Sequence, residues 1–252
     1  MRARPEAIDE RMRVPLYVEA SKLTVVVFGG GKVGTRRAQK FANAGARVRV
    51  VAKEFSEDLY YLNVELVKSD LEREDEIRKL IEDADIVVIA TNNKEVNDKI
   101  FRIAKEMGKL VNDATEASRS DVHVPFEAEV DGIRIAVTSE GASGVAAHVA
   151  LALIERCLKS NEFFKRINEF ARRFKRELKE LIDDPKRRFG LYWYVMLQRD
   201  IIEMVREGKI DEALEKALAI AKSYEGEGMT DVKYALGKFL EEWGDELLRA
   251  WP

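Results

Sequence analysis

Gly29, Gly31 and Gly34 stand at the spacing G-x-G-x-x-G, directly behind the apolar run Thr24-Val25-Val26-Val27-Phe28 and ahead of an amphipathic stretch, Arg36 to Ala44. Each glycine has a separate physical task in such a turn. The first permits a sharp exit from a strand. The second lacks the Cβ that would hold off a pyrophosphate, and the third lets a helix pack close to the sheet. The helix N-terminus that follows offers free N–H groups to an anion. The chemistry implied is dinucleotide binding, with Gly29, Gly31, Lys32, Val33 and Gly34 as contact residues. The bland alternative is a glycine turn in a flavodoxin-like domain that holds no cofactor.

A site of this kind commonly places an acid on the ribose hydroxyls about 20 residues past the glycines. The chain offers Lys53 then Glu54, just after the second apolar run Arg47–Ala52. Glu54 suits NAD and Lys53 tolerates a 2′-phosphate, although both also suit an ordinary solvated loop. Asp85–Ala90 is apolar on both faces, as a buried parallel strand is, and it ends in Thr91-Asn92-Asn93. Carboxyl ends of strands line the ligand crevice of a doubly wound sheet, so Thr91 and Asn92 stand within reach of a cofactor. Asn93 suits the N-cap of a helix over Lys94–Met107.

The elements that position these residues alternate. Strands are expected at Thr24–Phe28, Arg47–Ala52, Val64–Val67, Asp85–Ala90 and Lys109–Asn112, with helices between them, including Glu72–Glu82. That order implies an α/β fold with a Rossmann-like parallel sheet. The pattern then changes to a β-hairpin, Val124–Val130 and Ile133–Thr138, whose Asp131-Gly132 link suits a type I′ turn. An added hairpin of this sort supports a dimer. From Ser143 onward the reading is helical. Phe163, Ile167, Phe170, Phe174, Leu178 and Leu181 form one apolar stripe. Its opposite face carries Lys165, Arg166, Arg172, Arg173, Lys175 and Arg176, either solvated or meeting an acidic ligand. Further helices are expected at Phe189–Arg206 and Asp211–Tyr224. Glu225-Gly226-Glu227-Gly228 reads as a flexible link to a last helix, Asp231–Ala250. The domains expected are 14–112 for the dinucleotide, 113–150 for the hairpin and 151–252 for the helices.

Composition sets limits. A chain of 252 residues holds one large domain or two modest ones. A net charge of −3 argues against general nucleic-acid binding. One cysteine, Cys157, and two histidines, His123 and His148, argue against a disulfide framework and against a metal cluster. No apolar run approaches the roughly 18–20 residues that span a bilayer, which argues against a membrane protein. Met1 to Arg13 is charged and lacks an apolar signal core, so it reads as a short extension of a cytoplasmic protein, with Met12 as an alternative start.

Several stretches together resemble the precorrin-2 dehydrogenase / sirohydrochlorin ferrochelatase family of sirohaem synthesis. They are Pro15-Leu16-Tyr17, Gly29-Gly30-Gly31-Lys32-Val33-Gly34, Gly45-Ala46-Arg47-Val48 and Ala90-Thr91-Asn92-Asn93, with Val96-Asn97 and Asn112. Asp121-Val122-His123-Val124-Pro125, Thr138-Ser139-Glu140-Gly141-Ala142-Ser143 and Lys186-Arg187-Arg188-Phe189 continue it. The match extends over about residues 14–222 and leaves the last helix outside. The resemblance implies NAD-dependent oxidation of precorrin-2 to sirohydrochlorin, in some members followed by insertion of ferrous iron. It also implies a homodimer. A tetrapyrrole bearing many carboxylates calls for cations, for which Arg119, Arg134 and Lys186-Arg187-Arg188 are candidates, although each alone reads more simply as a surface charge. Asn112 joins them as a substrate contact. Ser143 is either a helix N-cap or part of an anion site with Gly141-Ala142. His148 stands where the family usually has arginine, as a carboxylate contact or a structural histidine.

One departure bears on mechanism. The family carries an aspartate, thought to act as general base, a few residues after the Asn matching Asn112. Counted without gaps, that position holds Thr115, whose hydroxyl does not accept a proton usefully near neutral pH. If residues 112–115 are extended, Asp113 lies on the same side, one pleat away, and is the expected replacement, with an ordinary strand-end carboxylate as the alternative. Asp121 reads as a loop-capping residue. Two other functions compete: a tetrapyrrole binder that has lost catalysis, favoured by Thr115, and a nucleotide-sensing regulatory domain, which the hairpin and long helical region argue against.

Overall fold

A computed structural model describes residues 13–226 and 228–249. Met12, the charged extension before Arg13, Glu227 and Ala250 lie outside the described residues. The chain divides into two compact units, Met1–Val124 and Pro125–Pro252.

The first unit is built on five parallel strands, β1 (Thr24–Phe28), β2 (Arg47–Ala52), β3 (Glu65–Lys68), β4 (Ile86–Ile89) and β5 (Leu110–Asp113), in the order β3-β2-β1-β4-β5. β1 is buried along its whole length, as a central strand covered on both faces must be. Its alternate side chains serve two cores. Val26 and Phe28 join Val51, Val87 and Ile89 beneath α2 (Glu74–Leu80) and α3 (Lys94–Glu106), through Ile77, Ile100 and Ile103. Val25 and Val27 join Val48, Val50 and Val88 beneath α1 (Lys32–Asn43), through Ala38. α1 begins four residues earlier than the amphipathic pattern indicates, because the glycine loop winds directly into it. α2 is shorter than expected at its start, where Leu71 takes φ 62° and Arg73 remains extended. The strand order reverses between β1 and β4, which creates a crevice at their carboxyl ends.

The second unit opens with the antiparallel hairpin β6 (Phe126–Val130) and β7 (Ile133–Val137). Asp131 (φ 50°) and Gly132 (φ 77°) both take left-handed backbone, as a type I′ turn requires. The Asp131 carbonyl accepts from Asn168 Nδ2 (2.8 Å) and from the Arg172 guanidinium (3.2 Å). Among the described residues six helices follow: α4 (Gly144–Ser160), α5 (Glu162–Leu181), α6 (Pro185–Met196), α7 (Arg199–Glu207), α8 (Ile210–Ser223) and α9 (Val232–Leu248). The apolar stripe of α5 forms the centre of their core, with Phe170 and Phe174 fully buried. The single helix expected over Phe189–Arg206 is two, because Gln198 adopts extended backbone and caps α7. The segment around Gly228 is no free link. Gly228 (φ 75°) lies so close to Gly190 of α6 that a Cβ would overlap its backbone, and Met229 N–H bonds the Gly190 carbonyl at 2.8 Å.

Much of the basic face of α5 secures neighbouring elements. Arg166 bonds the Arg206 carbonyl at the end of α7, Arg173 pairs with Asp211 of α8 (2.6 Å), and Arg172 holds the hairpin turn. Asn161 has a comparable part. Its Oδ1 caps α5 by accepting from Phe164 N–H (2.7 Å), and its Nδ2 bonds the Leu247 carbonyl of α9 (2.5 Å) in a site 4 % exposed. Loss of the cap and of a buried bond together puts Asn161→Ala at about 2–3 kcal/mol of destabilisation, read from the shift of a urea unfolding midpoint.

Candidate functional site

The three glycines divide their work as their spacing implies. Gly29 leaves β1 at φ 121°, donates to the Val51 carbonyl (2.9 Å), and a Cβ there would overlap the Ala90 carbonyl oxygen of the neighbouring strand. A Cβ on Gly34 would overlap the Gly29 carbonyl oxygen, so α1 packs against the loop only because that position is glycine. Gly31 differs: a Cβ there would meet nothing within 4 Å. Gly31 is the N-cap of α1 and supplies no side-chain cap, so the N–H groups of Lys32, Val33 and Gly34 face the open space above it. An open cradle over uncapped amides at the positive end of a helix fits a pyrophosphate. The loop is braced from beneath. Ser56 N–H bonds the Gly30 carbonyl (2.9 Å), and Thr35 Oγ1 and Ser56 Oγ share a hydrogen bond (2.7 Å).

Across the crevice, Asn92 is exposed at the end of β4, and Asn93 caps α3 by accepting from Val96 N–H (3.1 Å). The Thr91 hydroxyl is turned back toward Asn97 Oδ1 (2.5 Å). Asn97 itself is buried; it donates to the Thr91 carbonyl (3.1 Å) and to Thr115 Oγ1 (3.4 Å), a brace that the sequence reading missed. Lys53 and Glu54 are exposed beside the glycine loop. Arg37 was also missed. Half-buried on α1, it reaches the Val124 carbonyl (3.4 Å), and burial first, then neighbouring Arg36, depresses its pKa. The doubled Arg36-Arg37 was the available signal.

At the end of β5, Asn112 donates to the Val122 carbonyl (2.8 Å), and its Oδ1 is buried without a hydrogen-bond partner. Asp113, expected as the replacement base or as an ordinary strand-end carboxylate, closes β5. Its side chain is fully buried. Oδ1 accepts from Thr115 N–H (2.8 Å), Thr115 Oγ1 (2.6 Å) and Glu116 N–H (3.0 Å), and Oδ2 accepts from Arg119 Nε (2.7 Å). A carboxylate so saturated holds a loop together. Arg119, expected to meet a substrate carboxylate, is likewise engaged, by Asp113 and by Asp98 (2.6 Å), with its guanidinium 4.6 Å from the Phe101 ring centre. Burial opposes its charge, but the two acids outweigh that and raise its pKa. Asp121 caps the loop as expected, accepting from Val111 N–H (3.1 Å) and pairing with Lys105 (2.8 Å).

Lys94 first and Arg119 second hold the Asp98 carboxyl below its ordinary value of 3.8. A depressed folded-state pKa contributes stability above the unfolded value, and that contribution disappears as pH falls through the folded one. Asp98→Asn is therefore expected to flatten the acid limb of the stability–pH curve below about pH 4 and to leave its slope near neutrality unchanged, as urea unfolding across pH would show.

In the second unit, Ser143 caps α4 by accepting from Ala146 N–H (3.2 Å). Exposed His148 stacks on Phe126 at 4.9 Å between ring centres, and exposed Arg134 lies 3.6 Å from Glu129. Arg187 bonds the Tyr224 carbonyl at the end of α8 (2.7 Å), and Arg188 bonds the Ile182 carbonyl at the end of α5 (2.7 Å). The two arginines read as carboxylate contacts thus complete helix C-termini. Among the described residues no helix is long and apolar enough to cross a membrane.

A five-stranded parallel sheet with a glycine loop of this geometry at its switch point defines a Rossmann-like dinucleotide-binding domain. A family described as "Putative NAD(P)-binding" matches residues 16–126. A Methanocaldococcus jannaschii protein named "Putative precorrin-2 dehydrogenase" is 31% identical over 156 residues, covering 59% of this chain and 75% of that one. The siroheme synthase of Pseudomonas aeruginosa is 30% identical over 213 residues, and the match covers 82% of this chain but only 44% of that protein. The solved structure of SirC, a precorrin-2 dehydrogenase, superposes with a TM-score of 0.61 at 20% identity, covering 81% of this chain and all of that one, which shows a shared fold. The chain belongs to the precorrin-2 dehydrogenase family.

Proposed function

We propose that the chain oxidises precorrin-2 to sirohydrochlorin with NAD+ as oxidant. The observation that carries this reading is the uncapped N-terminus of α1 beneath the open face of Gly31, at the carboxyl end of β1. There the amides of Lys32, Val33 and Gly34 bind the pyrophosphate, and Asn92 and Thr91 flank the crevice. Bound NAD+ supplies the acceptor for a hydride. The chain's own contribution is to fix the acceptor in place, which is most of what hydride transfer requires. Asp113 is assigned to holding the loop after β5, not to moving a proton. The chain is expected to work in the cytoplasm, where the dinucleotide pool lies. Ferrous iron insertion is the further step implied by the resemblance, and iron added after oxidation would convert product to sirohaem if the chain performs it. The reading is tested by mixing the purified chain with precorrin-2 and NAD+. The sirohydrochlorin spectrum should appear; a spectrum that does not change, despite nucleotide binding, would leave a carrier in place of an enzyme.

A homodimer accompanies this reading. Val145 (77 % exposed), Val149 (54 %) and Leu153 lie at helical spacing on α4, and Phe126 and Ile133 are half-exposed on the hairpin it packs against. An apolar face of this extent is a surface that a second copy would cover. Val149→Asp is expected to shift the mass in solution from dimer to monomer, measured by light scattering.

A further inference from the structure

We propose that α9 pairs antiparallel with α9 of a second copy of the chain, through a face other than that of α4. Val232, Leu236, Leu240 and Leu248 stand in a row of four-residue spacing along α9, and Gly244 takes the remaining place in the row. Side chains at this spacing form a ridge, the unit by which helices pack against one another. All four are exposed, Leu240 at 48 % and Leu248 at 60 %, whereas Phe239 and Trp243 of the same helix are buried in the helical core. One side of α9 is thus seated, and a second apolar side is open. Gly237 and Gly244 are an independent sign. Glycine in a helix interior is unfavourable relative to alanine. A Cβ on Gly237 would meet nothing within 4 Å, and one on Gly244 would meet only the Leu240 Cβ, at an ordinary 3.8 Å. Packing among the described residues therefore requires glycine at neither place. Both leave room for another backbone to approach the ridge.

Charge selects the occupant. The first half of α9 carries Lys233 and Lys238, and the second half carries Glu241, Glu242, Asp245 and Glu246. The ends have the opposite signs, Asp231 before the helix and Arg249 after it. Glu242 and Glu246 are turned toward α7, to Arg199 (3.3 Å) and Arg206 (3.6 Å), and Lys238 pairs with Glu241 (2.7 Å). Asp231 caps α9 through one carboxylate oxygen. Lys233, Asp245 and Arg249 have no side-chain partner among the described residues. Two copies laid antiparallel about a two-fold axis at Leu240 set Leu240 on Leu240, Leu236 over Gly244 and Val232 beside Leu248. The same register brings Lys233 of one copy alongside Asp245 of the other, Lys238 alongside Glu241, and Arg249 alongside Asp231. A parallel pair would set Lys233 against Lys233 and Asp245 against Asp245, which like charges oppose. The surface is therefore self-complementary in one orientation, as a two-fold interface between identical chains must be.

The ridge is short, so the pairing is weak, with a dissociation constant on the order of 100 µM. Sedimentation equilibrium of the full chain from about 1 to about 500 µM, a range that spans this constant, tests it. The average mass is expected to rise toward twice its low-concentration value or beyond. The α4 face sets the starting mass and α9 sets the rise, so the two interfaces are read separately. Leu240→Asp, at an exposed position, should hold the mass at its low-concentration value throughout. Lys233→Glu should weaken the association by about tenfold or more at low salt, and Lys233→Glu combined with Asp245→Lys should restore it to within about threefold of wild type. A wild-type mass that stays flat to about 500 µM would overturn the proposal and leave the ridge to a partner of another kind. So would a rise that Leu240→Asp leaves intact, or a charge-exchanged double variant that associates no better than Lys233→Glu alone.

Discussion

Gly31→Asp is expected to abolish dinucleotide binding while leaving the fold as stable as before, or slightly more so. Gly31 is the N-cap of α1, its backbone is extended (φ −83°, ψ −175°), and a Cβ there would meet nothing within 4 Å. Aspartate is among the best N-caps, and a carboxylate at a helix N-terminus is favoured by the dipole, so the substitution should add about 0.5 kcal/mol of stability. The same carboxylate occupies the place and satisfies the amides that the pyrophosphate needs, and its charge repels the anion. The dissociation constant should rise by about 100-fold or more, which corresponds to about 2.7 kcal/mol of lost binding. Gly34→Ala behaves oppositely. Its Cβ collides with the Gly29 carbonyl, so folding and binding are lost together. Calorimetry of binding and thermal unfolding on the two variants separates a glycine kept for the ligand from one kept for packing.

Asp113→Ala is expected to destabilise the first unit by about 3–5 kcal/mol, because it strips a buried partner from Arg119 and leaves the Thr115 and Glu116 amides unsatisfied. Asp113→Asn keeps the shape and some acceptors, and should cost less. If Asp113 were a base, the alanine variant would lose turnover with its folding intact. A structural carboxylate instead lowers the unfolding midpoint first, and turnover per folded molecule stays near wild type. The decisive comparison is a urea unfolding curve set beside the rate measured well below its midpoint.

The glycine loop was legible because its requirements are local: a left-handed Gly29, an open Gly31 and a close-packed Gly34 are each fixed within a few residues of chain. The Asp131-Gly132 turn and the Asn93 and Ser143 caps were legible for the same reason. The roles of the charged residues were not. Nothing within reach of Asp113 in a pattern of strands says that Arg119 folds back onto it, or that α3 delivers Asp98 to the far side of that guanidinium. The carbonyl partners of Arg187 and Arg188, at Tyr224 and Ile182, are set by how the helices pack. The break between α6 and α7 falls at Leu197-Gln198, where no proline or glycine announces it, and the contact of Gly228 on Gly190 joins segments far apart in sequence. Backbone geometry was therefore readable from residue type, whereas long side chains took their partners from tertiary structure.

The most direct test is a strictly anaerobic turnover of precorrin-2 by the purified chain with NAD+ as the sole oxidant, following sirohydrochlorin and NADH together. Equal amounts of the two should form, with neither formed by the Gly31→Asp variant. Sirohydrochlorin without matching NADH, or product formed equally well by that variant, would contradict the account.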